Sequence, residues 1–209
     1  MIIAIDGSAA SGKGTLAKRL AKHFGLSHLD SGALYRVIGL QLLNDGHNIK
    51  NIKENQLVKL CVELDITLTT SPLIRTERVS EMASLVATVP AVRAALLDLQ
   101  RKFAAAPPEP NGAIIDGRDI GTVVLPDADI KFFIDANIHT RAERRTKELL
   151  QAGQSVMFRN VLSDMQERDK RDRSRLAAPL RIADDAIFID TSTMDADNVM
   201  ALALSHINA

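Results

Sequence analysis

Met1-Ile-Ile-Ala-Ile-Asp-Gly-Ser-Ala-Ala-Ser-Gly-Lys-Gly-Thr15 decides how the rest of this chain is read. Ile2 to Ile5 is an apolar run of the length expected for a buried strand of a parallel sheet. Gly7, Gly12 and Lys13 then fall at the spacing G-x-x-x-x-G-K, and Leu16 to Phe24 continues with helical periodicity. Strand, glycine loop and helix in that order form the context of a phosphate site, against the plainer reading of a strand-to-helix turn with a stray lysine. The loop residues Gly7, Ser8, Ala9, Ala10, Ser11, Gly12, Lys13, Gly14 and Thr15 are the expected nucleotide-binding set. Their backbone N–H groups can curl toward phosphate oxygens, and the new helix adds roughly half a positive charge at the same place. Lys13 supplies a full charge for the β- and γ-phosphates.

The 209 residues are enough for one α/β domain with small insertions, and the formal net charge is zero. No global field therefore points to nucleic acid or a membrane surface. The single cysteine, Cys61, keeps helical spacing with Leu57 and Leu64 and reads as core, in a chain suited to a reducing compartment. The five histidines lack ligand spacing, so no histidine-based metal site is expected. No apolar run approaches the roughly 20 residues of a membrane helix, and the N-terminus shows no leader pattern. The expectation is a cytoplasmic protein.

Downstream, Asp30 or Ser31 can cap a helix carrying Leu34, Val37, Ile38 and Leu42 on one face, with Tyr35 and Arg36 placed to point off it. Glu54 to Leu64 reads as a helix and Asp65 to Thr70 alternates like a strand. Thr76 to Thr88 reads as a helix, and Pro90 opens another that runs to about Ala104. Ser84 and Arg93 flank that proline junction, where a helix end and a helix start can meet one ligand. Pro107 to Gly112 is a stiff seam. Ala113 to Asp116 is a strand ending on a carboxylate, which beside a phosphate loop is the expected holder of Mg²⁺ and its waters. Ile130 to Ile134 and Ala186 to Asp190 are further strands, Thr140 to Ala152 and Ala196 to Ile207 further helices. This alternation predicts a doubly wound parallel α/β sheet with ligands at the carboxyl ends of its strands.

Met165-Gln-Glu-Arg-Asp-Lys-Arg-Asp-Arg-Ser-Arg175 is by default a solvated helix laced with ion pairs. Yet Arg168, Asp172 and Arg175 fall at i, i+4 and i+7, one helical face with several guanidiniums suited to phosphate oxygens. Beside a phosphate loop, such a segment can close over a phosphoryl group in transit.

Taken together these motifs resemble bacterial-type cytidylate kinases, P-loop nucleoside monophosphate kinases, over nearly the whole chain. The resemblance rests on I-D-G-S-A-A-S-G-K-G-T at 5–15, D-S-G-A-L-Y-R at 30–36, I-R-T-E-R-V at 74–79 and A-S-L-V-A-T-V-P-A-V-R at 83–93. It continues with D-G-R-D-I-G-T-V-V-L-P-D-A at 116–128 and E-R-D-K-R-D-R-S-R at 167–175. It implies a P-loop domain over 1–209, with a nucleoside-binding insert at about 31–106 and a short lid at about 153–179. It implies transfer of the γ-phosphoryl group of ATP to CMP and dCMP, with ATP as co-substrate, Mg²⁺, and a place in pyrimidine nucleotide metabolism. Ser31, Tyr35, Arg36, Ser84, Arg93, Arg118, Asp119, Arg168, Asp172 and Arg175 would surround CMP. Arg36, Arg118 and Arg168 would clamp its phosphate, Asp172 would meet the sugar hydroxyls, and Lys13, Arg118, Arg168 and Arg175 would be catalytic. A monomer with small-molecule partners, and neither nucleic acid nor membrane, is expected.

Two departures stand out. Gly14 follows Lys13 where P-loops usually carry Ser or Thr, which moves the hydroxyl that would meet Mg²⁺ to Thr15; this G-K-G-T form is like that of nucleoside monophosphate kinases. Only Ser71-Pro72-Leu73 separates residues 65–70 from the I-R-T motif, so the insert is shorter than the family's usual one. Kinases for UMP, thymidylate or shikimate share much of this logic, and a slow nucleotide-hydrolysing switch is the alternative of another class. Against the switch, no glutamine or switch loop stands ready to activate water, and two sets of arginines imply two phosphate ligands.

Overall fold

In the computed structural model, which describes residues 1–49 and 51–207, five strands form one sheet in the order β2-β3-β1-β4-β5. They are β1 (Ile2–Gly7), β2 (Ser27–Asp30), β3 (Ala113–Gly117), β4 (Ile130–Asp135) and β5 (Ile187–Asp190). β1 runs parallel to both β3 and β4, and β4 parallel to β5. The central strands are buried along nearly their whole length and mostly apolar, because both of their faces are covered, with Asp6, Asp116 and Lys131 as buried charged exceptions. Ile3, Ile5, Ile114, Phe132, Ile134 and Ile189 pack with Leu16 and Leu20 of α1 (Lys13–Phe24) and with Val199 and Ala203 of α8 (Ala196–Ile207). A smaller cluster joins Ala142 and Leu149 of α6 (Ile138–Gln151) to Val161 and Met165 of α7 (Phe158–Ser174).

The chain divides into two compact units, Asp30–Gln100 and the sheet-bearing remainder, Met1–Leu29 with Arg101–Ala209. The former contains α2 (Ser31–Asn44), α3 (Glu54–Val62), α4 (Glu77–Val86) and most of α5 (Pro90–Ala105). Asp30 caps α2 by accepting from the Ala33 N–H at 3.1 Å. Ala33, Val37, Ile74 and Val79 form this unit's small core. Cys61 is buried, its thiol donating to the Leu57 carbonyl at 3.2 Å, and burial pushes it up to about 11. Lys50, within the 31–106 stretch, lies outside the described residues.

Three expectations are corrected. Asp65 to Thr70 is no strand: Ile66–Thr70 is a 3₁₀ turn, begun by the Asp65 carboxylate accepting from the Thr67 N–H at 2.9 Å. Its threonine hydroxyls bond back to local carbonyls, and Ile66 is 54% exposed, so no partner strand organises it. Between Phe24 and the helix begun at Asp30 or Ser31, where the sequence pattern suggests no element, Ser27–Asp30 forms β2. Arg175 is not on the helical face: α7 ends at Ser174, and Arg175 has extended backbone. Among the described residues no single helix is long and apolar enough to cross a membrane.

β1 ends on Gly7, at φ 152°, where a Cβ would lie 1.9 Å from the Ile134 carbonyl oxygen. A side chain there must displace β4 or the loop. Gly7→Ala should therefore lower unfolding stability by at least ~2 kcal/mol, read as a shift of the urea midpoint.

Candidate active site

The loop from Gly7 to Gly12 turns between the buried end of β1 and the first turn of α1, with Gly12 left-handed at φ 94°. Three of its carbonyls accept side-chain hydrogen bonds. Lys13 Nζ donates to Ser8 O at 3.4 Å, Arg141 to Ala9 O at 3.3 Å, and Thr191 Oγ1 to Ser11 O at 2.8 Å. Fixing carbonyls this way leaves the amide side of the loop as its anion-attracting surface. Arg144 holds Thr191 in turn, through the threonine hydroxyl at 3.0 Å and its carbonyl at 2.6 Å. Thr15 is exposed, and Ser8 and Ser11 are buried.

At the same end of the sheet, β3 closes on Asp116 and Gly117, leading into Arg118, Asp119 and a single π-turn, Ile120–Val124. Asp116 Oδ1 meets His28 Nε2 at 2.8 Å. Its other oxygen faces the loop: a Cβ on Gly14 would lie 3.7 Å from Asp116 Oδ2. Among the described residues no three His, Cys, Asp or Glu side chains gather into a cation cage. One carboxylate beside a phosphate loop nevertheless fits Mg²⁺, which keeps much of its water and takes substrate phosphates as ligands.

Asp172 is the hub of the basic residues. It is 5% exposed, with Arg118 Nε at 2.9 Å and Arg168 Nε at 4.0 Å. Burial pushes its carboxyl up, but Arg118, Arg168 and Arg175 together outweigh that and hold it below the ordinary 3.8. Arg175 reaches Asp119 at 3.6 Å and donates to the Ala178 carbonyl at 2.7 Å. The structure thus brings Arg118, Asp119, Arg168, Asp172 and Arg175 together by a route other than the single helical face expected for three of them.

In the Asp30–Gln100 unit, Arg36 donates to Asp30 at 2.6 Å, and Arg75 lies 3.3 Å from the same carboxylate oxygen. The Arg93 guanidinium lies 5.8 Å from the Tyr35 ring centroid and donates to the Ala87 carbonyl at 3.4 Å. Ser31, Tyr35 and Ser84 are buried.

Sequence reading passed over several residues that hold this arrangement. Arg141 is buried and bonds Asp169 at 2.6 and 3.2 Å, so α6 and α7 are tied by a two-pronged ion pair. Arg173 reaches Asp135 at 3.1 Å. Asp6 accepts from the Ile120 and Gly121 N–H groups at 2.7 and 2.8 Å, and burial pushes its carboxyl up to about 7. A signal for Asp6 was present, since a carboxylate interrupts an otherwise apolar strand. Arg141 and Asp169 are 28 residues apart, and neither periodicity nor spacing links them.

A family model described as cytidylate kinase matches residues 3–209. The chain belongs to the cytidylate kinase family. It is 50% identical to a cytidylate kinase of Methylocella silvestris, over 98% of this chain and 92% of that one. With a cytidylate kinase of Paramagnetospirillum magneticum the identity is 48%, over 100% of this chain and 98% of the other. Among solved structures, an unliganded sugar kinase from Janibacter sp. shares the fold at 15% identity and TM-score 0.55, covering 100% of this chain and 94% of that one. Family membership over the full chain makes it an ATP-dependent kinase of CMP, and neither another acceptor nor a switch role is favoured.

Asp172→Asn would leave Arg118, Arg168 and Arg175 facing one another without their shared anion. It should cost about 3 kcal/mol at pH 7, measured by urea unfolding. Because the folded carboxyl is held below 3.8, its contribution is complete above that value and is lost as pH falls through the lower folded one. The gap between the two proteins should therefore close in acid.

Proposed function

We propose that the phosphate loop, Gly7 to Thr15 with Lys13, holds ATP, and that the arginine–aspartate network holds CMP or dCMP for direct phosphoryl transfer. The observation that carries this reading is Asp172 with its arginines, a buried, charge-compensated guanidinium cluster in the same unit as the loop. Arg118, Arg168 and Arg175 cover the phosphoryl in transit, and Asp172 turns to the sugar hydroxyls. The Asp30–Gln100 unit acts as the nucleoside-binding insert, supplying Ser31, Tyr35, Arg36, Ser84 and Arg93, and residues 153–179 act as the lid. Asp116 is the residue that would hold Mg²⁺, which when bound would supply neutralising charge for the ATP phosphates. The same reading takes the protein to act as a cytoplasmic monomer on small-molecule substrates.

The chemistry asks little of a base. The second ionisation of a phosphate monoester lies at about pH 6, so the attacking oxygen of CMP is already anionic at pH 7. What limits the reaction is bringing two polyanions into line, and fixed positive charge is the remedy. For the base, Asp119 accepts and Arg93 donates. That pair matches the amino group and bare ring nitrogen of cytosine and opposes the carbonyl and N–H of uracil.

The deciding assay is ADP formation from MgATP with each nucleoside monophosphate in turn. CMP should exceed UMP by roughly 10² or more in kcat/KM, since an unmatched buried polar pair rejects the wrong base. Asp119→Asn should narrow that ratio, because an amide can donate to the uracil carbonyl; equal use of both bases by the unmutated protein would refute the assignment of Asp119 and Arg93. Lys13→Ala should lower kcat on the order of 10²–10³, the effect of removing one preorganised electrostatic donor, while leaving the urea midpoint nearly unchanged.

A further inference from the structure

Asp6 is the only charged residue of β1 and is 4% exposed. Nothing in the phosphoryl-transfer reading requires it. Its Oδ1 takes the Ile120 N–H at 2.7 Å and its Oδ2 the Gly121 N–H at 2.8 Å. Those two amides open the π-turn Ile120–Val124, whose preceding residue, Asp119, makes no side-chain cap. A helical start has donors with no partner inside the helix. Here they are met by a carboxylate more than a hundred residues earlier in the chain. Arg118 and Asp119 stand immediately before this turn, and Gly7 stands immediately after Asp6.

We propose that Asp6 is a positioning residue for CMP: it pins the Arg118–Asp119 segment to the foot of the phosphate loop and so keeps the acceptor in register with the phosphoryl donor. The inference rests on the reading of Arg118 and Asp119 as CMP-binding residues. A buried carboxylate is a poor choice for stability alone, because its desolvation offsets much of what its hydrogen bonds return. An ionised carboxylate is, however, the smallest side chain that accepts at two oxygens, and a neutral amide accepts at only one. Single π-turns are rare and are frequently found at functional sites.

The same geometry makes the pin sensitive to pH. Burial, aided by the nearby Asp119 carboxylate, pushes Asp6 up to about 7 against its two N–H bonds and Arg118. Lys131 is the further charged neighbour, its stem packed beside Gly121 and its ammonium bound to Asp185 at 2.7 Å. A proton on Asp6 turns one acceptor into a donor and leaves one amide unmet. Above about pH 7 both amides meet an ionised acceptor and below it one does not, so the hydrogen-bonding of the segment changes across that value.

The test compares the unmutated protein with Asp6→Asn, using MgATP with CMP or UMP. The KM for CMP should rise about tenfold or more, the order expected when a reacting group is slightly misplaced. The CMP-to-UMP ratio of kcat/KM should fall and the KM for ATP should stay within about twofold. Loss shared equally by ATP and CMP, or a fall in melting temperature with both KM values unchanged, would overturn the proposal. In the unmutated protein, the ¹⁵N-amide resonances of Ile120 and Gly121 should titrate together with a midpoint of about 7. Amides that stay fixed between pH 6 and 8 would overturn the pH sensitivity of the pin, and this readout requires no variant to fold. Asp119→Ala separates the two possible failures. If that variant handles CMP normally, the base-reading assignment falls and takes this proposal with it. If it is impaired while Asp6→Asn is normal, only the proposal falls.

Discussion

The absence of a side chain at Gly7 is the constraint on which the site depends. With the Ile134 carbonyl oxygen 1.9 Å from where a Cβ would stand, β1 can lie flush against β4 and still turn sharply out of the sheet. That turn delivers the chain to the carboxyl ends of β3 and β4, where Asp116 and Asp135 sit. A parallel sheet gathers its loops at that one end, so residues far apart in sequence meet there without any further device. The Asp6–Ile120 contact spans 114 positions, and Thr191 reaches Ser11 across 180.

A protein that binds two polyanions must hold its cations in place before either arrives. Here the means is local compensation: in a chain of zero net charge, each unit pairs its own arginines with its own carboxylates. Arg36 is matched by Asp30, Arg118 by Asp172 and Arg175 by Asp119. A half-buried guanidinium with no anion would be expensive, whereas a paired one is tolerable and already oriented. For an arginine paired in this way, exchanging the carboxylate for a phosphate would return less free energy than binding to a bare cation, a difference that would favour ligands offering correctly placed oxygens over arbitrary anions.

Contiguous features were legible in the sequence. β1, the loop and α1 occupy one unbroken stretch, and the apolar runs at Ala113 and Ile130 are strands because burial on both faces leaves no alternation to interpret. The misreadings have physical causes. Ile66 and Leu68 alternate with threonines as in a strand, but the Asp65 carboxylate and the threonine hydroxyls satisfy the backbone locally and no second strand competes. β2 has only four residues, too few for a period to show. Arg175 keeps helical spacing with Arg168 and Asp172, yet α7 stops one residue short of it and its side chain arrives by an extended backbone. The residues that brace the loop, Arg141, Arg144 and Thr191, were illegible because their partners are set by sheet order.

The charge run on α7 resolves once its two faces are separated. Asp169 and Arg173 are one turn apart and point to anchors: Asp169 takes the Arg141 guanidinium and Arg173 reaches Asp135. Arg168 and Asp172, also one turn apart but rotated by about 100°, belong to the Arg118 network. Alternating charge in E-R-D-K-R-D-R thus does two jobs, fastening the helix by one face and presenting guanidiniums on the other. Fastening also limits movement. Arg141 holds both Asp169 and the Ala9 carbonyl of the phosphate loop, and Ala142, Leu149, Val161 and Met165 share one core. A closing motion of α7 alone would break a buried two-pronged ion pair and open that core. Motion of α6 and α7 as one body avoids both losses, but it pulls on the loop through Arg141. One buried arginine, Arg141, thus ties the placement of α7 to the Ala9 carbonyl of the phosphate loop.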